Sequence, residues 1–296
     1  MTFEEELVMK TEEVQEMVEK YLPKEEGFQK TIFSASNYSV LNGGKRIRPL
    51  ILLETYRLFD GKGKVVEPFT AAIEYMHASS LIHDDLPCMD NDEYRRGRKS
   101  TWAQFGEDMG VLAGDALMLY SFEVAAKAFA LQPTNALAIG RAMEILAQKS
   151  GVYGMVGGQT VDVEMTGKPL TDDQLSFIYA LKTGALLEAS MMIGATLANA
   201  SFEDVKTTEK IAGKIGLAFQ IKDDILDVTA NQEVLGKPVH SDEKNQKTTY
   251  VSLYGLEEAK KQVAELTRDA LSLLKNLSGE NKFLERLLVW LVTREK

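Results

Sequence analysis

Cysteine is almost absent. A single Cys88 in 296 residues excludes an intramolecular disulfide and any zinc site built from several thiolates. Prolines number only seven, and runs in which β-branched and polar residues alternate are few, which weighs against a β-rich fold. Positive charge is in deficit. With 34 Lys and Arg against 44 Asp and Glu, the net charge is −10, unlike a duplex nucleic-acid binder, whose phosphate contacts need a basic face. The longest apolar run near the end, LLVWLV (287–292), is far short of the ~20 residues that span a bilayer. The opening stretch, MTFEEELVMKTEEVQEMVEK, is acidic and amphipathic and lacks the basic start and apolar core of a signal peptide. These absences point to a soluble, cytoplasmic protein without stable membrane insertion.

What is present is helical periodicity. With 45% hydrophobic and 26% charged residues the composition is that of an ordinary globular protein, and the length suits one large domain or two smaller ones. Leu-, Ala-, Met- and Glu-rich segments recur over 106–132, 135–151 and 255–277. Thr171-Asp172-Asp173-Gln174 reads as a capping box, and Ser201 to Asp204 has the same character. Breaks are expected at Gly43-Gly44, 60–63, Pro87, 95–99, Pro133, 167–169 and 229–247. The reading is a single all-α domain, 1–296, a helical bundle of ten or more helices. The segment 184–200, apolar nearly all round, belongs in the bundle's middle or in a subunit interface.

Chemistry concentrates in three places. The first is His83-Asp84-Asp85-Leu86-Pro87-Cys88-Met89-Asp90, at the end of an apolar helix that must stop near Pro87. Carboxylates there oppose the helix macrodipole and one another unless a cation is present. The second is Gln220 to Asp227, again closing an apolar helix. Asp223 and Asp227, four apart, lie about 40° apart around the helix, so they share a face. Hard oxygen donors without His or Cys suit Mg²⁺, which keeps waters and takes one or two carboxylates plus substrate phosphates. The third is basic: Gly43-Gly44-Lys45-Arg46-Ile47-Arg48 and Arg95-Arg96-Gly97-Arg98-Lys99, two compact cationic clusters suited to phosphate in an acidic chain. Together the parts suggest two diphosphates, one bridged by Mg²⁺ to the acidic clusters and one held by cations directly. That combination points to carbocation chemistry with diphosphate as leaving group.

The motifs GGKRIRP (43–49), HASSLIHDDLPCMDNDEYRRG (77–97), GGQTVDVE (157–164), KTG (182–184), FQIKDDILD (219–227) and LGK (235–237) stand in the order found in the trans-prenyltransferases. The chain resembles that family over nearly its whole length, especially the bacterial farnesyl and geranylgeranyl diphosphate synthases. The resemblance implies that Asp84 and Asp90, helped by Asp85, hold two Mg²⁺ ions, and that Asp223, with Asp224 and Asp227 nearby, holds a third. It places Arg95, Lys182 and Lys237 on the allylic diphosphate, and Lys247 on the same side. It implies that Gly44, Lys45, Arg48, His77 and Arg96 bind isopentenyl diphosphate. Thr183 and Gln220 turn oxygen dipoles toward the developing cation, and the basic end Arg294-Glu295-Lys296 closes over the second substrate. In the implied reaction the allylic carbon–oxygen bond ionises, the isopentenyl double bond attacks, and a proton passes to the departing diphosphate. A homodimer is also implied, with 184–200 a candidate interface.

Product length is implied to depend on the helix before Asp84. Ser80 and Ser79 lie four and five positions before it, roughly 6–7.5 Å down the axis. Many resembling farnesyl synthases carry a bulky aromatic at the Ser79 position, so serine removes an expected stop and opens a route from fifteen to twenty carbons. Met76, Met118 or Met155 are further candidates for closing the tunnel. Two rivals share part of the pattern. A terpene cyclase needs no isopentenyl pocket, and a non-catalytic partner subunit is expected to lose charges that are intact here.

Overall fold

The structure is a computed structural model that describes residues 1–229 and 248–294. It is built almost wholly of helices, as the periodicity predicts, and its described residues group into two compact units.

The first unit comprises Met1–Leu53 and Gly61–Met143. Helix α1 (Phe3–Lys20) starts at a capping box, in which Thr2 and Glu5 satisfy each other's backbone N–H groups. Helix α2 (Lys30–Leu41) and α3 (Ile47–Leu58) follow, the latter beginning in this unit. The central element is α4 (Val66–Asp84), buried on nearly every side and packed on α6 (Glu107–Ala126). Tyr75 of α4 donates from its hydroxyl to Val18 O at 2.6 Å and stacks on Tyr120 of α6 at 5.9 Å between ring centroids. A minimal hairpin, β1 (Tyr94–Arg95) and β2 (Arg98–Lys99), supplies the little strand structure among the described residues. Its two turn residues, Arg96 and Gly97, both have positive φ (53° and 78°), the requirement of a tight primed turn. Helices α5 (Thr101–Phe105) and α7 (Ala128–Leu131) are short, and α8 (Ala136–Ser150) begins here.

The second unit comprises Glu54–Asp60 and Glu144–Lys296. Helices α9 (Met155–Glu164) and α10 (Asp172–Ile178) lead into a π-helical turn, Tyr179–Gly184, and then α11 (Ala185–Leu197). The Thr171 capping box forms as expected, and Ser201 accepts from Asp204 N at 3.1 Å ahead of α12 (Phe202–Thr229). Helix α12 packs against α11, the π turn and α14 (Leu256–Leu274), with α13 (Tyr250–Tyr254) and α15 (Lys282–Thr293) beside it. Lys149 is held between Glu188 and Glu209, tying α8, α11 and α12 together.

Two helices bear on the sequence reading. Helix α11 is core rather than interface: eleven of its thirteen residues, from Ala185 to Leu197, are buried within the chain. A helix apolar all round reads alike for both places, and here α12 and the π turn cover it. Conversely, the segment Glu107–Leu131 is long and apolar enough to cross a membrane by length and composition, with 39% of its most apolar window buried. Val111, Leu112 and Leu119 of α6 are exposed (40%, 50% and 72%).

Candidate active site

In the first unit the turn 42–46 joins α2 to α3 and, with the first residues of α3, carries the basic motif. Gly43 and Gly44 have φ of 81° and 122°, conformations that side chains rarely adopt. A Cβ on Gly44 would lie 2.7–2.9 Å from the Arg96 guanidinium, so glycine there admits the arginine, which donates to Gly43 O. Gly44, Lys45, Arg48, His77 and Arg96 are therefore brought together. With Asn42, Gly43, Arg46, Ile47 and Glu74 they line a pocket of about 560 Å³. Arg48 donates to His77 Nε2 at 3.4 Å. Burial and the neighbouring Arg48, Arg96, Arg95 and Arg46 hold His77 well below its ordinary value of 6.5, so it is a neutral acceptor there. Arg48 Nε is buried with no hydrogen-bond partner among the described residues, the condition an anionic ligand relieves.

The first acidic cluster is shaped by its backbone. Asp90 N donates to Asp84 O at 2.9 Å and Asp92 N to Asp85 O at 3.1 Å, so the loop folds back over the last carbonyls of α4 and brings Asp90 beside Asp84. Asp85 is buried and gripped by Arg95, whose Nε lies 2.8 Å from both carboxylate oxygens. Burial pushes the Asp85 carboxyl up, and Arg95 pulls against that shift. Arg95, expected on the allylic diphosphate, is paired with Asp85 in this structure. Ser79 is fully buried and donates to Met76 O at 2.8 Å, with Met76 Sδ at 4.0 Å, while Ser80 donates to His77 O.

In the second unit Lys182 and Thr183 sit in the π-helical turn, a distortion frequent at functional sites. Lys182 Nζ donates to Asp162 of the GGQTVDVE motif at 2.5 Å. Gly158 makes the close approach possible, since a Cβ there would lie 2.3 Å from Lys182 N. On α12, Gln220 is half-buried, Asp223 pairs with Arg294, and Asp227 is buried. Asp224 accepts from Tyr179 Oη at 2.6 Å and from Tyr250 N at 2.9 Å, which ties the π turn and α13 to α12. Sequence reasoning missed Asp162, Tyr179 and Arg46 as partners. The Arg294 guanidinium, expected over the second substrate, lies on Asp223 and 4.2 Å from the centre of the Phe219 ring. Lys237, Lys247, Glu295 and Lys296 lie outside the described residues.

Among the described residues no three of His, Cys, Asp or Glu close into a metal cage. The donor set still fits Mg²⁺, which completes its octahedron with waters and substrate phosphates rather than a protein cage. Each acidic cluster already draws a guanidinium, Arg95 on Asp85 and Arg294 on Asp223, as a negative field does.

The polyprenyl synthetase family pattern matches residues 29–284. The chain is 43% identical over 253 residues to a farnesyl diphosphate synthase of Geobacillus stearothermophilus, covering 85% of this chain and 84% of that one. It is 42% identical over 265 residues to a geranylgeranyl diphosphate synthase of Cyanophora paradoxa, covering 89% and 87%. An apo crystal structure of an FPP/GFPP synthase from Zymomonas mobilis superposes with a TM-score of 0.86 at 31% identity, covering 98% of this chain and 99% of that one. A basic pocket, two acid-ended helices and a match across most of the length place this chain in the polyprenyl synthetase family.

Proposed function

We propose that the chain is a short-chain trans-prenyl diphosphate synthase, joining isopentenyl diphosphate to dimethylallyl or geranyl diphosphate to give farnesyl diphosphate. The observation that carries this reading is the pocket where Lys45, Arg48, Arg96 and neutral His77 converge, a cationic site in a chain of net charge −10. Its cations hold the isopentenyl diphosphate, and the buried Arg48 donor gains an acceptor. The family works with a divalent metal. We assign Mg²⁺, three ions, to Asp84, Asp85 and Asp90 and to Asp223 and Asp227; bound there, it withdraws charge from the allylic diphosphate and promotes ionisation. Lys182, Thr183 and Gln220 orient that substrate and face the developing positive charge with oxygen dipoles. No side chain needs to act as general base, because the released diphosphate takes the proton.

The test is product mass after incubation with Mg²⁺, isopentenyl diphosphate and, separately, dimethylallyl, geranyl and farnesyl diphosphate. Fifteen-carbon product supports the reading, and no product from any primer overturns it. A twenty-carbon product is the second reading, favoured by buried, small Ser79. Under either, Ser79→Tyr is expected to shorten the dominant product by at least one five-carbon unit, since the ring must occupy space now bounded by Met76. An unchanged product spectrum would show that the tunnel ends elsewhere.

We also propose a cytoplasmic homodimer without membrane insertion. Val111, Leu112 and Leu119 of α6 are exposed apolar residues that a second copy would cover, with Asp115 exposed among them. Leu119→Arg is expected to convert dimer to monomer in sedimentation equilibrium, and an unchanged mass would exclude that face.

A further inference from the structure

Arg46 differs from the other cations of its turn. Lys45 is exposed and Arg48 half-buried, whereas Arg46 is 4% exposed. Each of its three guanidinium nitrogens donates: Nε to Gln15 Oε1 of α1 at 2.6 Å, one terminal nitrogen to Glu74 Oε1 of α4 at 2.5 Å, and the other to Val40 O in the last turn of α2 at 2.6 Å. The residue holds φ at 49°, a left-handed conformation that a non-glycine residue keeps only when its surroundings impose it. Glu74, 3% exposed, lies one helical turn before His77 on α4. The turn and the start of α3 are thus fastened to α4 by two rungs, Arg46 on Glu74 and Arg48 on His77. Glu74 is also the carboxylate lining a pocket whose other charged lining residues are Lys45, Arg46, Arg48 and Arg96, and its field supports the charged forms of Arg48 and Arg96 against burial.

We propose that Arg46 and Glu74 are positioning residues for isopentenyl diphosphate: the pair touches no substrate but fixes the turn so that Lys45, Arg48 and His77 meet the diphosphate in one arrangement. The inference rests on the reading of that pocket as the isopentenyl diphosphate site. A buried ion pair is by itself weak evidence of a stabilising role, because apolar pairs of similar volume often replace it without loss of stability. The strained backbone and the shared turn of α4 tie this pair to the pocket instead.

The double variant R46M/E74L separates the two roles, since it removes one charge of each sign and leaves the pocket's net charge unchanged. Initial rates are measured with isopentenyl diphosphate varied at saturating geranyl diphosphate, then the reverse, beside thermal melting. The expected result is a cooperative melt and a KM for isopentenyl diphosphate raised about tenfold, with the KM for geranyl diphosphate changed less than twofold. An unchanged isopentenyl KM in the folded variant overturns the proposal, as does an equal rise in both KM values. Should the double variant fail to fold, R46K keeps the charge but not the three-way fork, and a rise of about threefold confined to the isopentenyl KM is expected. An unchanged KM in R46K overturns the proposal. Failure of the wild-type protein to elongate any primer would be a failure of the functional reading. Calorimetric titration of wild type and the double variant with inorganic pyrophosphate then decides the positioning role, weaker binding by the variant supporting it and equal binding overturning it.

Discussion

Alanine in place of Asp84 is expected to lower turnover by about two to three orders of magnitude, while the melting temperature stays level or rises slightly. Asp84 is the last residue of α4, a helix buried on almost all sides, so its carboxylate sits at the negative end of the macrodipole. Asp90 is folded back beside it by a backbone hydrogen bond, and Asp85 follows directly. Like charges packed at a helix C-terminus repel one another, and Arg95 offsets only part of that, so removing one carboxylate is expected to cost the fold little while disabling the site. Asp223→Ala is expected to cost activity on the same scale, but without the gain in stability, because it also strips Arg294 of its partner. Steady-state kinetics at saturating Mg²⁺ beside calorimetric melting reads both quantities. Near-wild-type rates in either variant would sink the metal assignment.

The second large effect is expected from the smallest change. Gly158→Ala adds one methyl group, yet that carbon would stand 2.3 Å from Lys182 N and 2.9 Å from Leu181 C, both backbone atoms. No rotamer relieves such a contact, so α9 and the π turn must part. The overpacking costs on the order of 1–3 kcal/mol of stability. The greater loss is catalytic, since Lys182 and Thr183 ride on that turn, and a displacement near 1 Å is worth about 10²-fold in rate. The expected pattern is a kcat down by about that factor, with a modest fall in Tm and the isopentenyl KM little changed. Wild-type kcat in a folded G158A protein would separate the turn from catalysis.

The helices, their caps and the two acid-ended core helices could be read in the sequence, because periodicity, capping boxes and proline act locally. The charged residues were legible as types and not as pairs. In 43–49 the three cations look equivalent, and only the path of the chain turns Arg46 inward to Glu74 while Lys45 stays in water. Arg95 could be recognised as a cation for diphosphate, but its grip on Asp85 depends on the hairpin that follows the acidic loop. Arg294 meets Asp223 across 71 residues, a separation over which no spacing rule operates. The apolar helix α11 needed its neighbours before core could be told from interface. Gly158 stood in the GGQTVDVE motif without a visible physical reason, because the backbone it admits lies on another element.

The π-helical turn at Tyr179–Gly184 can also be regarded as one residue too many, absorbed without breaking the helix. An α-helix advances 100° per residue, so deleting a single residue there would heal the turn into regular helix and rotate everything before it by that angle relative to α11. Tyr179 would swing off Asp224, and Lys182 off Asp162, although no side chain had been altered. The length of this segment therefore fixes the arrangement as much as its letters do, and a chain shortened there would lose these contacts.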